Sequence, residues 1–206
     1  MRAPDHKIYL ASKSPRRREL LRQIGVDFEL LMLRDKLPRG PDVDEVVRAG
    51  EAPEAYVARV TAEKAAFAQR VMLLRRLPER TILAADTSVV LGDQILGKPG
   101  NAIEAADMLR LLSGRTHQVI TCVTVQAEEQ AWHATQISEV SFNTLSERTI
   151  ANYCAGAEPY DKAGAYGIQG MGALFIREIR GSHSGIMGLP LFETAQLLQQ
   201  AGRTIL

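Results

Sequence analysis

The chain has 206 residues, 46% hydrophobic and 24% charged, with 25 basic against 24 acidic side chains and a formal net charge of +1. That composition suits a globular domain with a real core and excludes disordered and fibrous classes. The near-neutral balance also argues against a protein that coats DNA or RNA, which needs a basic excess to displace counterions from phosphates.

Ile8 to Ala11 is a short apolar run that predicts a buried strand. Ser14 then offers an N-cap and Pro15 a first helical residue, for a helix that continues from Arg16 to Gln23 and stops at Gly25. Phe28 to Leu33 reads as a second strand. Residues 34–53, rich in Pro, Gly and acidic side chains, read as a loop long enough to be functional. A helical pattern follows from Pro53 to about Arg76, with Tyr56, Val60, Ala66, Phe67 and Val71 among its apolar positions.

Thr81 to Ala85 predicts a strand that ends at Asp86, and Ser88 to Leu96 contains a turn at Gly92-Asp93. Asn101 caps the next helix in a capping box with Glu104, and Gly114 closes it. Val119 to Gln126 and Trp132 to Phe142 alternate as paired antiparallel strands. Ser146 to Cys154 is a short helix, Leu174 to Ile179 a strand, and Pro190 to Ala201 a last amphipathic helix with Gly202 behind it. Helices and strands alternate around a long central hairpin, so the expectation is a single α/β domain over residues 1–206 with a mixed sheet.

Cys122 and Cys154 have no metal-ligand spacing and are too few for a disulfide framework. The N-terminus lacks a signal-peptide core, and no stretch is long enough to cross a bilayer. A soluble protein of the reducing cytoplasm is expected.

Four segments offer chemistry. In Ser12-Lys13-Ser14-Pro15-Arg16-Arg17-Arg18, a helix N-terminus, hydroxyls and forked guanidinium donors meet at one point, which suits a phosphate. It is not a Walker A loop, and a solvated arginine face is the competing reading. In Ala84-Ala85-Asp86-Thr87, a carboxylate at a strand end can hold a cation or orient water, with Lys98 of Gly97-Lys98-Pro99 to offset phosphate charge. An Asx-turn aspartate is the alternative there.

Asp42-Val43-Asp44-Glu45 clusters acids that suit Mg2+ but equally suit a solvated loop, and Lys64 in Ala62-Glu63-Lys64-Ala65 reads as an ordinary helix lysine. Tyr160 to Gly170 sets small residues around two tyrosines, implying close approach by something else; Gln169 could read a base edge, or Asp161 and Lys162 could simply pair across turns. His6, His117, His133 and His183 have no metal spacing, and Trp132 reads as packing in the hairpin.

Taken together the segments resemble the Maf family of nucleotide pyrophosphatases: LASKSPRRRELL, DVDE, AEKA, AADTSVVLGDQILGKP, YDKAGAYGIQG and GSHSGIMGLPL occur in the family's order from Ile8 to Leu198. The resemblance implies an elongated mixed β-sheet flanked by helices, with two lobes around a nucleotide-binding cleft. It implies a divalent cation, Mg2+ or Mn2+, held by Asp86 and Glu45, and hydrolysis of a nucleoside triphosphate between its α- and β-phosphates. By motif, Asp86 takes the family's catalytic carboxylate role, as proton acceptor, and Ser12, Arg17, Glu45, Lys64 and Lys98 fall on its active-site positions.

Arg16, Thr87 and Gln169 fall on specificity positions of the branch acting on dTTP and UTP, whereas the 7-methyl-GTP branch typically has tryptophan where Arg16 stands. The family usually has tyrosine and asparagine where this chain has His183 and Gly185. The partner implied is the nucleoside triphosphate, with homodimerisation open and neither nucleic acid nor a membrane expected. The same reaction on another nucleotide, and a nucleotide-binding regulator of cell division, are the competing functions; intact Asp86, Lys64 and Lys98 argue for the enzyme.

Overall fold

Three long antiparallel strands carry the fold: β3 (Ile82–Leu91), β5 (Thr116–Ala127) and β6 (Gln130–Phe142). The computed structural model describes residues 7–33 and 43–205; His6, Asp42 and the loop segment 34–42 lie outside the described residues. β1 (Ile8–Leu10) and β2 (Phe28–Leu30) extend the sheet in parallel beyond β3, β7 (Ile176–Arg180) closes the far side, and β4 (Gln94–Leu96) pairs with β3. The order is β2-β1-β3-β5-β6-β7, a mixed sheet as the alternation of elements predicts.

The helices form where their caps and apolar stripes place them. α1 (Pro15–Gln23) starts on Ser14, whose hydroxyl accepts from the Arg17 amide. α3 (Ala102–Leu112) starts on Asn101, whose side chain accepts from the Glu104 amide while Glu104 Oε1 accepts from Asn101 Nδ2 at 2.7 Å. α2 (Pro53–Leu74) has no side-chain cap and is held by packing: Val57, Val60, Thr61, Ala65, Ala68, Val71 and Met72 form its buried stripe, with Tyr56 at its start. Ala66 and Phe67, expected in that stripe, are half-buried beside it. α4 (Glu147–Cys154), α5 (His183–Ile186) and α6 (Leu191–Gln200) complete the helices.

Apolar clusters occupy both ends of the long strands. At one end Leu83, Ala85, Val123 and Val125 pack with Leu20 and Leu21 of α1 and Leu197 and Leu198 of α6. At the other, Val89, Val119, Val140 and Phe142 pack with Leu109 and Leu112 of α3 and Ile150 of α4. Each Val, Leu, Ile or Phe among them contributes about 1.5–3 kcal/mol when removed from water. Trp132 packs on the first cluster, and both cysteines are buried free thiols. Among the described residues no helix is long and apolar enough to cross a membrane.

Three expectations need correction. The strand expected to end at Asp86 runs straight through it to Leu91, because Asp86, Thr87 and Ser88 keep full register with Cys122, Thr121 and Ile120 of β5. Asp86 is therefore neither a strand-end residue nor an Asx-turn cap. The second strand stops at Leu30 rather than Leu33, where its pairing with β1 runs out. Residues Met171–Phe175 form a 3-10 turn, so the last strand begins at Ile176 instead of Leu174.

Candidate active site

β3 has a neighbour on one side throughout, but not on the other. β1 pairs with it only at Ile82 and Leu83, with the Ala11 amide donating to the Leu83 carbonyl at 2.8 Å, and β4 pairs only from Val89 to Leu91. Between these two partners, the stretch from Ala84 to Ser88 has β5 on one flank and no described strand on the other. A cavity of about 860 Å³ opens at this gap. Because side chains alternate along a strand, the gap lets residues from both faces of the sheet line one space.

On one face, Asp86 meets α2. Lys64 Nζ lies 2.7 Å from Asp86 Oδ1 and 2.6 Å from Glu45 Oε1, so a single ammonium joins a strand carboxylate to a loop carboxylate. The ordinary helix lysine of the sequence reading is thus the centre of the acidic cluster. The second oxygen of each carboxylate has no hydrogen bond among the described residues. Tyr56, one helical turn further towards the N-terminus than Val60, donates from its hydroxyl to the Glu45 carbonyl at 2.9 Å. Burial, then the charges of Asp86 and Glu45, push its phenol up to about 12.

On the other face, Thr87 meets α1. Arg17 spends its fork on three partners: Nε donates to the Gly188 carbonyl at 2.7 Å, Nη1 to Ser12 Oγ at 3.2 Å and Nη2 to Thr87 Oγ1 at 3.1 Å. Desolvation lowers the guanidinium's pKa, opposed by the nearby Asp86 charge. Thr121, fully buried on β5, lies 2.9 Å from Thr87 Oγ1 and donates to the Gly185 carbonyl at 2.8 Å. A carbonyl can only accept, so Thr121's one proton goes there and Thr87 donates to Thr121. The competing reading of the arginine run as a wholly solvated face does not hold for Arg17.

The third wall is the segment from Tyr160 to Gly170. Arg16 Nη1 reaches Asp161 Oδ2 at 3.1 Å, and Lys162 Nζ reaches Asp161 Oδ1 at 2.5 Å, so the pairing considered from sequence exists and ties α1 to this wall. Gly164, at φ +69°, lies where a Cβ would come within 2.8 Å of Val89, which is why no side chain stands there. Tyr166 is buried, its hydroxyl 2.7 Å from His117 Nε2. Glu158 anchors the outer part of the wall, accepting from the Met171 and Gly172 amides at 2.9 and 3.1 Å and from the Tyr153 hydroxyl at 2.9 Å. Gln169 and Lys98 line the cavity as exposed side chains and make no hydrogen bond or ion pair among the described residues.

All nine candidate residues, Ser12, Arg16, Arg17, Glu45, Lys64, Asp86, Thr87, Lys98 and Gln169, thus line one cavity. The structure adds Tyr56 and Tyr166 to that lining, and Thr121 and Glu158 behind it as supports of Thr87 and of the third wall. Tyr56 and Lys64 recur eight residues apart on one helical face, a spacing visible in the sequence; the other three are brought in by long-range pairing.

No group of three or more His, Cys, Asp or Glu side chains among the described residues forms a metal cage. Asp86 and Glu45 nevertheless fit Mg2+ or Mn2+ of the kind that takes one or two carboxylates and completes its shell with water and substrate phosphates.

The family model described as Maf-like protein matches residues 7–201. This chain belongs to the Maf family. A dTTP/UTP pyrophosphatase of Aromatoleum aromaticum is 55% identical over 197 residues, covering 95% of this chain and 96% of that protein. Those named dTTP/UTP pyrophosphatase in Ralstonia nicotianae and Cupriavidus pinatubonensis are 54% and 53% identical, covering 98% and 94% of this chain and 98% and 96% of theirs.

The two positions at which the resemblance leads one to expect tyrosine and asparagine have different surroundings. His183 is exposed at the start of α5. Gly185 is buried, and a Cβ there would lie 2.4 Å from Gln136 Oε1, so the Gln136 amide fills the room that an asparagine would need.

Proposed function

We propose that this Maf-family protein hydrolyses dTTP and UTP between the α- and β-phosphates, giving the monophosphate and pyrophosphate, in a cytoplasmic setting. The observation that carries this reading is the meeting, at one gap in the sheet, of an Asp86–Lys64–Glu45 cluster on one face with an Arg17–Ser12–Thr87 cluster on the other. Near-full-length likeness to proteins named dTTP/UTP pyrophosphatase supports the substrate.

Arg16, Arg17, Ser12 and Lys98 bind the triphosphate. Their cationic and hydroxyl donors offset charge that grows on the departing pyrophosphate, and Arg17 is already held in place for this by Gly188, Ser12 and Thr87. Lys64 holds Asp86 and Glu45 in place and keeps their charges compatible at short range. Asp86 accepts a proton from the attacking water through the oxygen that Lys64 leaves free, as the water oxygen bonds to the α-phosphorus and the bond to the bridging oxygen breaks. A Mg2+ or Mn2+ ion held by Asp86 and Glu45 would supply charge neutralisation on the phosphate oxygens. Gln169 offers one donor and one acceptor to the carbonyl and N3–H edge of thymine or uracil, with Arg16 and Thr87 bordering the same space.

A panel of nucleoside triphosphates with pyrophosphate detection tests the reading. Preferential release from dTTP and UTP is expected. Equal or faster hydrolysis of dATP or 7-methyl-GTP would overturn the substrate assignment while leaving the reaction class standing. Absence of pyrophosphate from every nucleotide, with binding retained, would return the chain to a nucleotide-binding regulator.

A further inference from the structure

The loop that delivers Glu45 is held one carbonyl at a time by α2. Arg59 Nη1 donates to the Asp44 carbonyl at 3.1 Å, the Tyr56 hydroxyl to the Glu45 carbonyl at 2.9 Å, and Arg59 Nη2 to the Val46 carbonyl at 3.0 Å. Three consecutive backbone acceptors are thus gripped by two side chains one turn apart on a single helix. The remaining N–H groups of Arg59 are also engaged. Nε and Nη2 form a fork on Glu51, at 2.6 and 2.9 Å, and Nη1 reaches Glu63 at 3.4 Å. A guanidinium has five donors, and all five have partners here. The fork on Glu51 fixes the plane of the group, so the two loop carbonyls are met in one orientation. Lys64, which receives the Glu45 side chain, lies on the same helix.

We infer that Arg59 is a positioning residue for the pyrophosphatase reaction, acting with Tyr56 as a clamp that fixes residues 44–46 and so sets the distance from Glu45 to Lys64 and Asp86. The inference rests on the proposed role of Glu45 for its effect on catalysis, but not for the clamp itself. A lysine at 59 has three donors on a point charge and cannot hold two carbonyls and a carboxylate in one plane. Misplacement of a catalytic group by about 1 Å can cost about a hundredfold in rate, so a small release of this loop is enough to matter.

The test combines amide hydrogen exchange with a double-mutant cycle. In R59K, exchange of the Val46 amide, which donates to Asp44 Oδ1 at 3.0 Å within the gripped segment, is expected to quicken about tenfold, with α3 as an unchanged reference; Y56F, which removes one of the three grips, gives a smaller increase. R59K is expected to lower kcat and raise the Mg2+ concentration needed for half-maximal turnover, and to add little further loss in an E45Q background. Unchanged exchange in both R59K and Y56F would overturn the clamp. Full additivity of R59K and E45Q would overturn its action through Glu45. Should R59K fail to fold, Y56F and E51Q carry the exchange measurement. Should E45Q alone retain full activity, the proposed role of Glu45 falls, and the exchange data still decide the clamp.

Discussion

Asp86 and Thr87 are consecutive on β3 and point to opposite faces of the sheet, yet both line the same cavity. Asp86 bonds to Lys64 on α2, and Thr87 accepts from Arg17 on α1. The arrangement follows because β1 and β4 leave the middle of β3 without a described strand on one flank. A carboxylate-lysine cluster and an arginine-hydroxyl cluster are thereby brought together by a single peptide unit.

Asp86→Asn keeps the shape of the side chain and removes its charge. Lys64 still has Glu45, so folding is expected to persist, with a melting temperature within a few degrees of the wild type. Turnover is expected to fall by about 10²–10⁴-fold, the scale of a lost general base. Pyrophosphate release and a thermal melt check both parts; near-normal turnover at saturating Mg2+ removes Asp86 from the mechanism.

Removal of divalent cations with EDTA is expected to stop hydrolysis, and added Mg2+ or Mn2+ to restore it, because two carboxylates close together bind such an ion best when substrate phosphates complete its shell. Retained activity in metal-free buffer would show that Lys64, Arg17 and Lys98 neutralise the phosphates unaided.

Gln169 has no hydrogen-bond partner among the described residues, so its amide is available to a base. Gln169→Ala is expected to lower kcat/KM for dTTP and UTP about tenfold while changing that for dATP less, since an unpaired buried polar group costs about 1–3 kcal/mol. Parallel kinetics on the three nucleotides measure the change. An equal loss on all three would place Gln169 outside base selection.

His117 is 2% exposed, and burial pushes its imidazole down to about 4 from an ordinary 6.5. The folded chain keeps this ring neutral while the unfolded chain protonates it below 6.5, so the unfolded state binds more protons between pH 6.5 and about 4 and stability falls across that window as pH drops. The loss attributable to this ring is about 3 kcal/mol by pH 4. Denaturant melts at pH 7, 5.5 and 4 should show a shallower decline in His117→Gln, whose terminal amide takes the Nε2 place opposite the Tyr166 hydroxyl without titrating. Parallel pH profiles in the two proteins would exclude His117 as the source.

Most of the elements are legible in the sequence because their signals are local. Ser14, Asn101 and Ser146 each cap a helix where the pattern puts one, and the hairpin alternates over its whole length. The continuity of β3 is not legible, since Asp86-Thr87-Ser88 breaks its apolar run. Only β5, the lysine of α2 and the arginine of α1 supply the partners that let polar residues stay in the middle of a strand. The same reason hides the roles of Arg59 and Thr121, whose partners are backbone carbonyls far along the chain or around a loop. The family motifs, by contrast, name nine residues that the fold brings to one cavity although they span Ser12 to Gln169.

The parallel pairing of Tyr9 with Ile82 has a consequence for the order in which the molecule assembles. The β5–β6 hairpin joins neighbours in sequence, and β3 reaches it over a single intervening helix and the short β4. β1, with Ser12 and Arg17 just behind it, docks only after a loop from residue 9 to residue 82 has closed. Long-range parallel closure is slow relative to a local hairpin. In the full-length chain the acidic half of the site should therefore form before Arg17 arrives, so a transiently opened chain would hold carboxylates without the arginine that meets the phosphates. Nucleotide would then bind only once the amino-terminal strand is home, and bound substrate should slow the release of that strand more than any other.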